Sequence, residues 1–295
     1  MTSRHEQLRT LFANGFTTVG AYDPFTAKIA ENHGYPATYI GSFSFELAGI
    51  AAPDMGLMTL TELATLVSRV SAVTTTPILC DVDTGFGGLN NIWRTVQVLE
   101  AAGASALQIE DQAFPKVCPI LPGKSLVSIE EAAERISVAS NARRDPNFMV
   151  IARSDADVVS VDELIRRSNR YLESGADAVL PMMLSYEGRP HTEADPAALR
   201  SAYIRLVKEI DGPVVALDTV PGMTSDEMLE LGISFVLFPT AAIEAAFTAV
   251  EQLFASTQQT GRQETYFEQL GIIQDRMALM DAVGVNDFLS RAAGK

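Results

Sequence analysis

"PILCDVDTGFGG", Pro77 to Gly88, runs from an apolar stretch into two aspartates, Asp81 and Asp83, and then dissolves into glycines. Residues i and i+2 of a strand share a face, so a strand through this stretch aims both carboxylates the same way. Ionised, they repel, and the pattern predicts something positive between them. A buried strand that ends on such residues suits a parallel α/β fold, whose sites lie at the carboxyl ends of its strands.

The same grammar recurs outward in both directions. Strands are predicted at Thr17–Tyr22, Ala37–Ser42, Pro77–Val82, Ala106–Asp111, Phe148–Arg153, Asp177–Met182, Pro213–Asp218 and Ser234–Pro239, each a compact apolar run fit for burial on both faces. Helical patterns such as "TLTELATLVSRVSAV" and "VDELIRRSNRYLESGA" lie between them, several ending in the Gly-Ala or Gly-Tyr that suits a helix C-cap before a strand. Eight βα units without a linker or low-complexity segment predict one (β/α)8 TIM barrel over residues 1–295, with a C-terminal helical extension from about 255. An open doubly wound sheet is the alternative, although no G-x-G-x-x-G follows the first strand.

Composition narrows the function classes. Of 295 residues, 47% are hydrophobic and 20% charged, with a formal net charge of −15, and the pI is near 4.6. That balance argues against nucleic acid as a partner, and an anionic substrate would need local positive charge. The charged start, "MTSRHEQLRTLF", is unlike a secretory signal, and "FVLFPTAAIEAAFTAV" is interrupted by Pro239 and Glu244, so a cytoplasmic protein with no membrane span is expected. Cys80 and Cys118 are expected to be free thiols.

The predicted strand ends collect polar residues. Ser42 closes the second strand, Asp81 and Asp83 the third, Glu110 and Asp111 the fourth, Arg153 the fifth, and Asp218 with Thr219 the seventh; Asp54 follows in the loop "AAPDMGLMT". One acid at a strand end is more often a helix cap, but clustered carboxylates require a cation or raised pKa values, and oxygen ligands suit Mg2+ or Mn2+. His5, His33 and His191 fall at no predicted strand end, which disfavours a Ser-His-Asp triad or a histidine-rich zinc site. Cys118 lies in "EDQAFPKVCPILPGKS" beside Lys116 and Lys124, a setting that favours thiolate, although a merely tolerated loop cysteine fits as well. Cys80 reads as a small core residue.

In this order and at these strand ends, "CDVDTGFGG", "IEDQAFPKVC" and "VIARSDA" resemble the isocitrate lyase/phosphoenolpyruvate mutase superfamily, over about Phe16 to Phe254. The likeness points to its 2-methylisocitrate lyase-like and carboxyphosphonoenolpyruvate phosphonomutase-like branch. It implies a barrel whose eighth helix is exchanged between subunits of a homodimer or homotetramer, with Mg2+ and an α-oxo acid at the strand ends. By position it implies metal ligation at Asp81 and Asp83, with Asp54 and Glu110 outside them. Substrate contacts are implied at Tyr39, Gly41, Ser42, Phe43, Asp83, Arg153, Met182 and Thr219, and catalysis at Cys118, Arg153 and Lys116. Cys118 matches the lyase cysteine that protonates the departing enolate.

The sequence also departs from the pattern. Pro119-Ile120 stand where isocitrate-type lyases carry Gly-His, Met182 replaces a Glu and Leu217 an Asn, so groups that contact substrate carboxylates are absent and the pocket is expected to be more apolar. "FPK" is the phosphonopyruvate-processing spelling, yet those members carry Asn where Cys118 stands. The reading is a Mg2+-dependent carbon–carbon lyase that cleaves an alkylmalate-like 2-hydroxy dicarboxylic acid to an α-oxo acid. Phosphonopyruvate or carboxyphosphonoenolpyruvate chemistry, oxaloacetate decarboxylation or hydrolysis, and a silent oxo-acid-binding protein are the alternatives. The loop from Ala113 to Lys124 is expected to close over the site.

Overall fold

The computed structural model describes residues 2–293; Met1 and the last two residues of the expected extension lie outside the described residues. Eight parallel strands form the barrel: β1 (Phe16–Val19), β2 (Thr38–Ile40), β3 (Ile78–Asp81), β4 (Ala106–Glu110), β5 (Met149–Ser154), β6 (Ala178–Pro181), β7 (Val215–Leu217) and β8 (Phe235–Phe238). The run β2 to β6 pairs in sequence order, while β8 lies between β1 and β7. Bridges between Gly20 and Tyr39 and between Val179 and Val214 join the two sets and close the ring. Closure excludes the open sheet. The observed strands lie within the expected spans or differ from them by a residue or two, except that β1 starts one residue before its expected span and ends three residues short of it.

Strand alternation explains two apolar layers. Leu79, Ile151, Leu180, Val215 and Leu237 point into the barrel. Their neighbours Cys80, Ala152, Val179, Ala216 and Val236 pack outward against the helices, so both faces are dry and near-continuous apolar runs were needed. Cys80 sits there as expected, fully buried, with burial holding its thiol far above the usual range. Helix α1 (Arg4–Asn14) plugs the amino-terminal end: Phe12 meets Phe16 and Phe235 edge-on, and Phe16 stacks on Phe235 at 4.3 Å. One end of the barrel is thereby sealed.

Local signals set the helices. Asp23 caps α2 (Pro24–Asn32), Thr59 and Glu62 form a capping box on α4 (Leu60–Val73), and Gly103 ends α5 (Leu89–Ala102) at φ 102, where a Cβ would be strained. The remaining outer helices are α3 (Ser42–Ile50), α6 (Ile129–Ala142), α7 (Val161–Glu173), α8 (Pro196–Glu209) and α9 (Ser225–Glu230).

Helix α10 (Ala241–Thr260) follows β8 but buries no residue; Phe247 and Phe254 are 67% and 66% exposed. Beyond it lie α11 (Glu264–Leu270), α12 (Arg276–Ala282) and α13 (Val285–Ala292). Asn32 donates to the Ala282 carbonyl at 2.8 Å, tying the arm to α2. None of these described helices is apolar enough over a sufficient length to cross a membrane.

The aromatic plug gives a stability test. Replacing Phe235 with Ala removes a buried stacked ring, and a loss of about 3–5 kcal/mol is expected, read from the midpoint of urea unfolding. A loss below about 1 kcal/mol would mean that the plug does not seal the barrel.

Candidate active site

The carboxyl ends of β2 to β8 surround a cavity of about 200 Å3. Tyr39, Gly41, Ser42, Phe43, Arg153 and Met182 line it, as do Asp54, Asp81 and Cys118. Glu110 is buried at the end of β4. Asp83 and Lys116 line a neighbouring cleft of about 720 Å3 instead. Thr219 does not line the cavity; its neighbour Asp218 does, because the chain leaves β7 with Asp218 at φ 61 and turns the next residue away. Asp111 is also directed elsewhere: its carboxylate accepts from Ser154, Arg167, Tyr171 and the Asp155 amide, fastening β5 to α7.

Asp81 and Asp83 are not two neighbours on one strand face. The strand ends at Asp81, and Asp83 lies in a turn at φ 49, where its amide donates to Asp81 Oδ1 at 2.9 Å. A left-handed aspartate stores strain that the surrounding contacts must hold. The turn sends its carboxylate toward Lys116, with Oδ1 2.7 Å from Nζ.

The expected positive charge comes from two side chains. Lys116 Nζ pairs with Asp54 and Asp83 and donates to Ser42 Oγ at 3.2 Å, with the side chain only 1% exposed. Burial opposes its charge, but the carboxylates of Asp83, Glu110 and Asp54 hold its pKa above the usual lysine range. Arg153 reaches Glu110 at 3.0 Å and Asp81 at 3.7 Å, and is itself braced by Asp155 at 2.9 and 3.0 Å. Even so, burial and then the Asp83 charge push Asp81 up to about 6, and burial raises Glu110 well above the carboxylate range.

Asp54 owes its place to a residue that the sequence reading did not single out. Glu46, fully buried on α3, accepts from the amides of Met55, Leu57 and Met58 at 2.7–2.8 Å and so folds the loop on which Asp54 sits. Only the spacing of an acid on an apolar helix ahead of a Pro/Gly loop hinted at this.

Cys118 is 4% exposed, and its environment reverses the expected ionisation. Burial leads, with Asp54 adding to it, and the thiol is pushed up to about 11. The two lysines do not offset this, because Lys116 is paired with acids and Lys124 is bound to Asp157 at 2.7 Å. At neutral pH the sulfur keeps its proton. The loop holding it lies over the cavity, anchored by Lys116 at one end and Lys124 at the other.

Further round the wall are residues whose place at the site was not foreseen. His191 follows a hairpin, Ser185–Tyr186 paired with Arg189–Pro190, whose turn uses Glu187 at φ 51 and Gly188 at φ 76. Such a two-residue turn requires positive φ at both centres. The hairpin returns His191 to the cavity beside Asp218 and Glu244. An isolated histidine after "SYEGRP" gives no sequence signal of a site.

Fit to a divalent cation rests on the donors. They are oxygens, as Mg2+ and Mn2+ prefer, and neither Glu110 oxygen has an aligned hydrogen-bond donor, despite the 3.0 Å ion pair of one with Arg153. Among the described residues no three acidic, thiol or imidazole groups converge at metal-binding geometry. Lys116 Nζ stands where Asp54 and Asp83 meet. The donor chemistry fits, and bringing the carboxylates together on an ion requires Lys116 to yield part of its contacts.

The model of the phosphoenolpyruvate phosphomutase family matches residues 8–258. The chain belongs to that family. It is an enzyme fold of the wider phosphoenolpyruvate mutase/isocitrate lyase superfamily of lyases and mutases. A 2-methylisocitrate lyase of Aeropyrum pernix is 34% identical over 93% of this chain and 84% of its own length. The crystal structure of phosphoenolpyruvate phosphomutase from Streptomyces platensis superposes with a TM-score of 0.85 at 31% identity, covering 97% of both chains. Phosphonopyruvate hydrolase in complex with oxalate and Mg2+ gives 0.84 at 29% identity over 99% of each.

Within this family member the Lys116 contacts make a separable prediction. Lys116→Met keeps the stem but strands the Asp54 and Asp83 charges, and a loss of about 3–5 kcal/mol of stability is expected, read by thermal and urea unfolding. An unchanged midpoint would show that the ion pairs do not hold the loop.

Proposed function

We propose that the protein is a Mg2+-dependent lyase that splits a carbon–carbon bond of a substituted malate-like 2-hydroxy dicarboxylic acid and releases an α-oxo acid. The observation that carries this reading is the buried, protonated Cys118 thiol facing a cavity whose other wall is built for an anion. The relatedness to 2-methylisocitrate lyases supports lyase chemistry, and the hydrolase complex with oxalate and Mg2+ supports an oxo-acid dianion beside a divalent cation.

Ser42, Phe43 and Ser44 open helix α3, where amides have no helical acceptor and the dipole is positive. These amides and the Arg153 guanidinium would hold the substrate's C1 carboxylate. Asp81 and Asp83, with Asp54 and Glu110 behind them, would hold Mg2+, or Mn2+ in its place. When bound, the ion supplies Lewis-acid stabilisation of negative charge on oxygen. Lys116 would keep Asp54 and Asp83 oriented and balance their charge. As the C2–C3 bond breaks, the C2 hydroxyl would give its proton to a carboxylate of the acid cluster and become the carbonyl of the oxo acid. Cys118 would transfer its proton to the carbon of the departing enolate, for which a thiol kept neutral is the competent form. Met182, Leu184 and Leu217 would accommodate an apolar substituent, since none can pair with a carboxylate.

A second reading, cleavage or rearrangement of a phosphorus–carbon bond, is favoured by the likeness to the phosphomutase and phosphonopyruvate hydrolase structures. Proton and phosphorus NMR on alkyl-substituted malates, methylisocitrate, oxaloacetate and phosphonopyruvate, with Mg2+ and with EDTA, separates the two. Metal-dependent release of an oxo acid from a substituted malate is expected. Turnover of phosphonopyruvate alone would replace the lyase reading.

Two further expectations belong to this reading. Cys118→Ala should lower the cleavage rate about 100-fold or more while leaving oxalate affinity within about threefold; a wild-type rate would remove Cys118 from the mechanism. The bare apolar stripe on α10 should be covered by a second copy of the chain, the helix being exchanged in a homodimer or homotetramer. Sedimentation should show an assembly that Phe247→Asp with Phe254→Asp dissociates, and a monomeric wild type would contradict it.

A further inference from the structure

The cavity wall carries two chemically distinct groups of side chains. Arg153 and the first turn of α3 are those proposed to hold the oxo-acid head of the substrate. His191, Asp218 and Glu244 line the same cavity, together with Met182, Leu184 and Leu217. The first three come from three separate elements, namely the hairpin after β6, the end of β7 and the first turn of α10. Both neighbours are felt at Asp218: burial raises its pKa, the nearby His191 opposes the rise, and the Glu244 charge adds to it. Among the described residues no hydrogen bond joins any of the three side chains to another protein group, so their polar atoms are free to meet a ligand.

The hairpin that brings His191 to this group is firmly built. Its first amide, on Ser185, donates to Asp157 Oδ2 at 2.8 Å, and the His191 amide closes it on the Leu184 carbonyl at 3.0 Å. Asp157 is buried and pairs through its other oxygen with Lys124, the last residue of the Cys118 loop. The histidine and the cysteine are thus registered on the same carboxylate.

Among the described residues, Arg153 is the only lysine or arginine lining the cavity. With Asp218 and Glu244 ionised, their group carries two negative charges against at most one imidazolium, so it stays net negative in either state of His191. A carboxylate there would be repelled and would find no guanidinium or ammonium partner. A hydroxyl or ammonium would donate to Asp218, Glu244 or a neutral His191 nitrogen, and would satisfy acceptors that an alkyl group leaves unpaired.

We propose that His191, Asp218 and Glu244 form a specificity group that selects a substrate whose apolar substituent terminates in an uncharged or cationic hydrogen-bond donor, and that rejects one ending in a further carboxylate. This rests on the oxo-acid reading of Arg153 and the α3 turn and adds the chemical class of the tail. Tricarboxylic substrates are thereby disfavoured by this group as well as by the loss of carboxylate partners along the wall.

The test uses N-substituted oxamates, which keep an oxo-acid head and vary only the tail. Binding of oxamate and its N-butyl, N-(3-hydroxypropyl), N-(3-aminopropyl) and N-(2-carboxyethyl) derivatives would be measured by calorimetry on the full chain with Mg2+. Because the group is partly open to solvent, the hydroxyl and ammonium tails should bind roughly three- to tenfold more tightly than butyl, and the carboxylate tail weaker than butyl by a similar factor. Asp218→Asn, which tolerates the left-handed backbone, combined with Glu244→Gln should remove the penalty on the carboxylate tail. His191→Ala should reduce the hydroxyl preference while leaving oxamate itself unchanged. Tightest binding of the carboxylate tail, or equal binding of all four tails, would overturn the specificity group while leaving the head site intact. Failure of unsubstituted oxamate to bind would overturn the oxo-acid reading and this inference with it.

Discussion

Four buried carboxylates, Asp54, Asp81, Asp83 and Glu110, share the open end of the barrel with two buried cations, Lys116 and Arg153. Attraction at ion-pair distance is worth about 4 kcal/mol or more at the effective dielectric of such sites, while desolvation costs several kcal/mol per ion. The arrangement is close to balance, and the shape of the site follows from keeping it so. Lys116 can reach Asp54 only if the Cys118 loop lies inward, and Asp54 can meet it only because Glu46 folds the preceding loop. Arg153 stays aimed at Glu110 because Asp155 takes its other edge. A protein with a net charge of −15 therefore places two cationic side chains among the acids of its cavity.

The same constraint explains why the cysteine stays protonated. A thiol beside free lysines would ionise; beside lysines already paired, and next to Asp54, burial decides and the proton stays. Charge counted along the sequence and charge felt at a side chain differ by the pairing that folding imposes.

That difference marks what could be read from the chain. Eight strands, their order and most residues at their ends were legible because parallel strands buried on both faces leave continuous apolar runs. Asp81 and Arg153 stand where those runs end. Asp83 was identified but its geometry was not: a left-handed turn depends on three-dimensional contacts, not on strand alternation. Glu46 and His191 were invisible as site residues, since one acts through amides 9–12 positions away and the other is brought in by a hairpin across the barrel mouth. Thr219 was displaced by its neighbour through a single backbone turn at Asp218.

The proposed function requires the acid cluster to work together with the α3 turn and Arg153 proposed to hold an anion. The most direct test is calorimetric titration of oxalate into the protein with Mg2+ and then with EDTA. Binding that requires the metal, and that Arg153→Ala weakens by about tenfold or more, is the predicted result. Oxalate binding of equal strength in EDTA, or its absence under both conditions, would contradict the account.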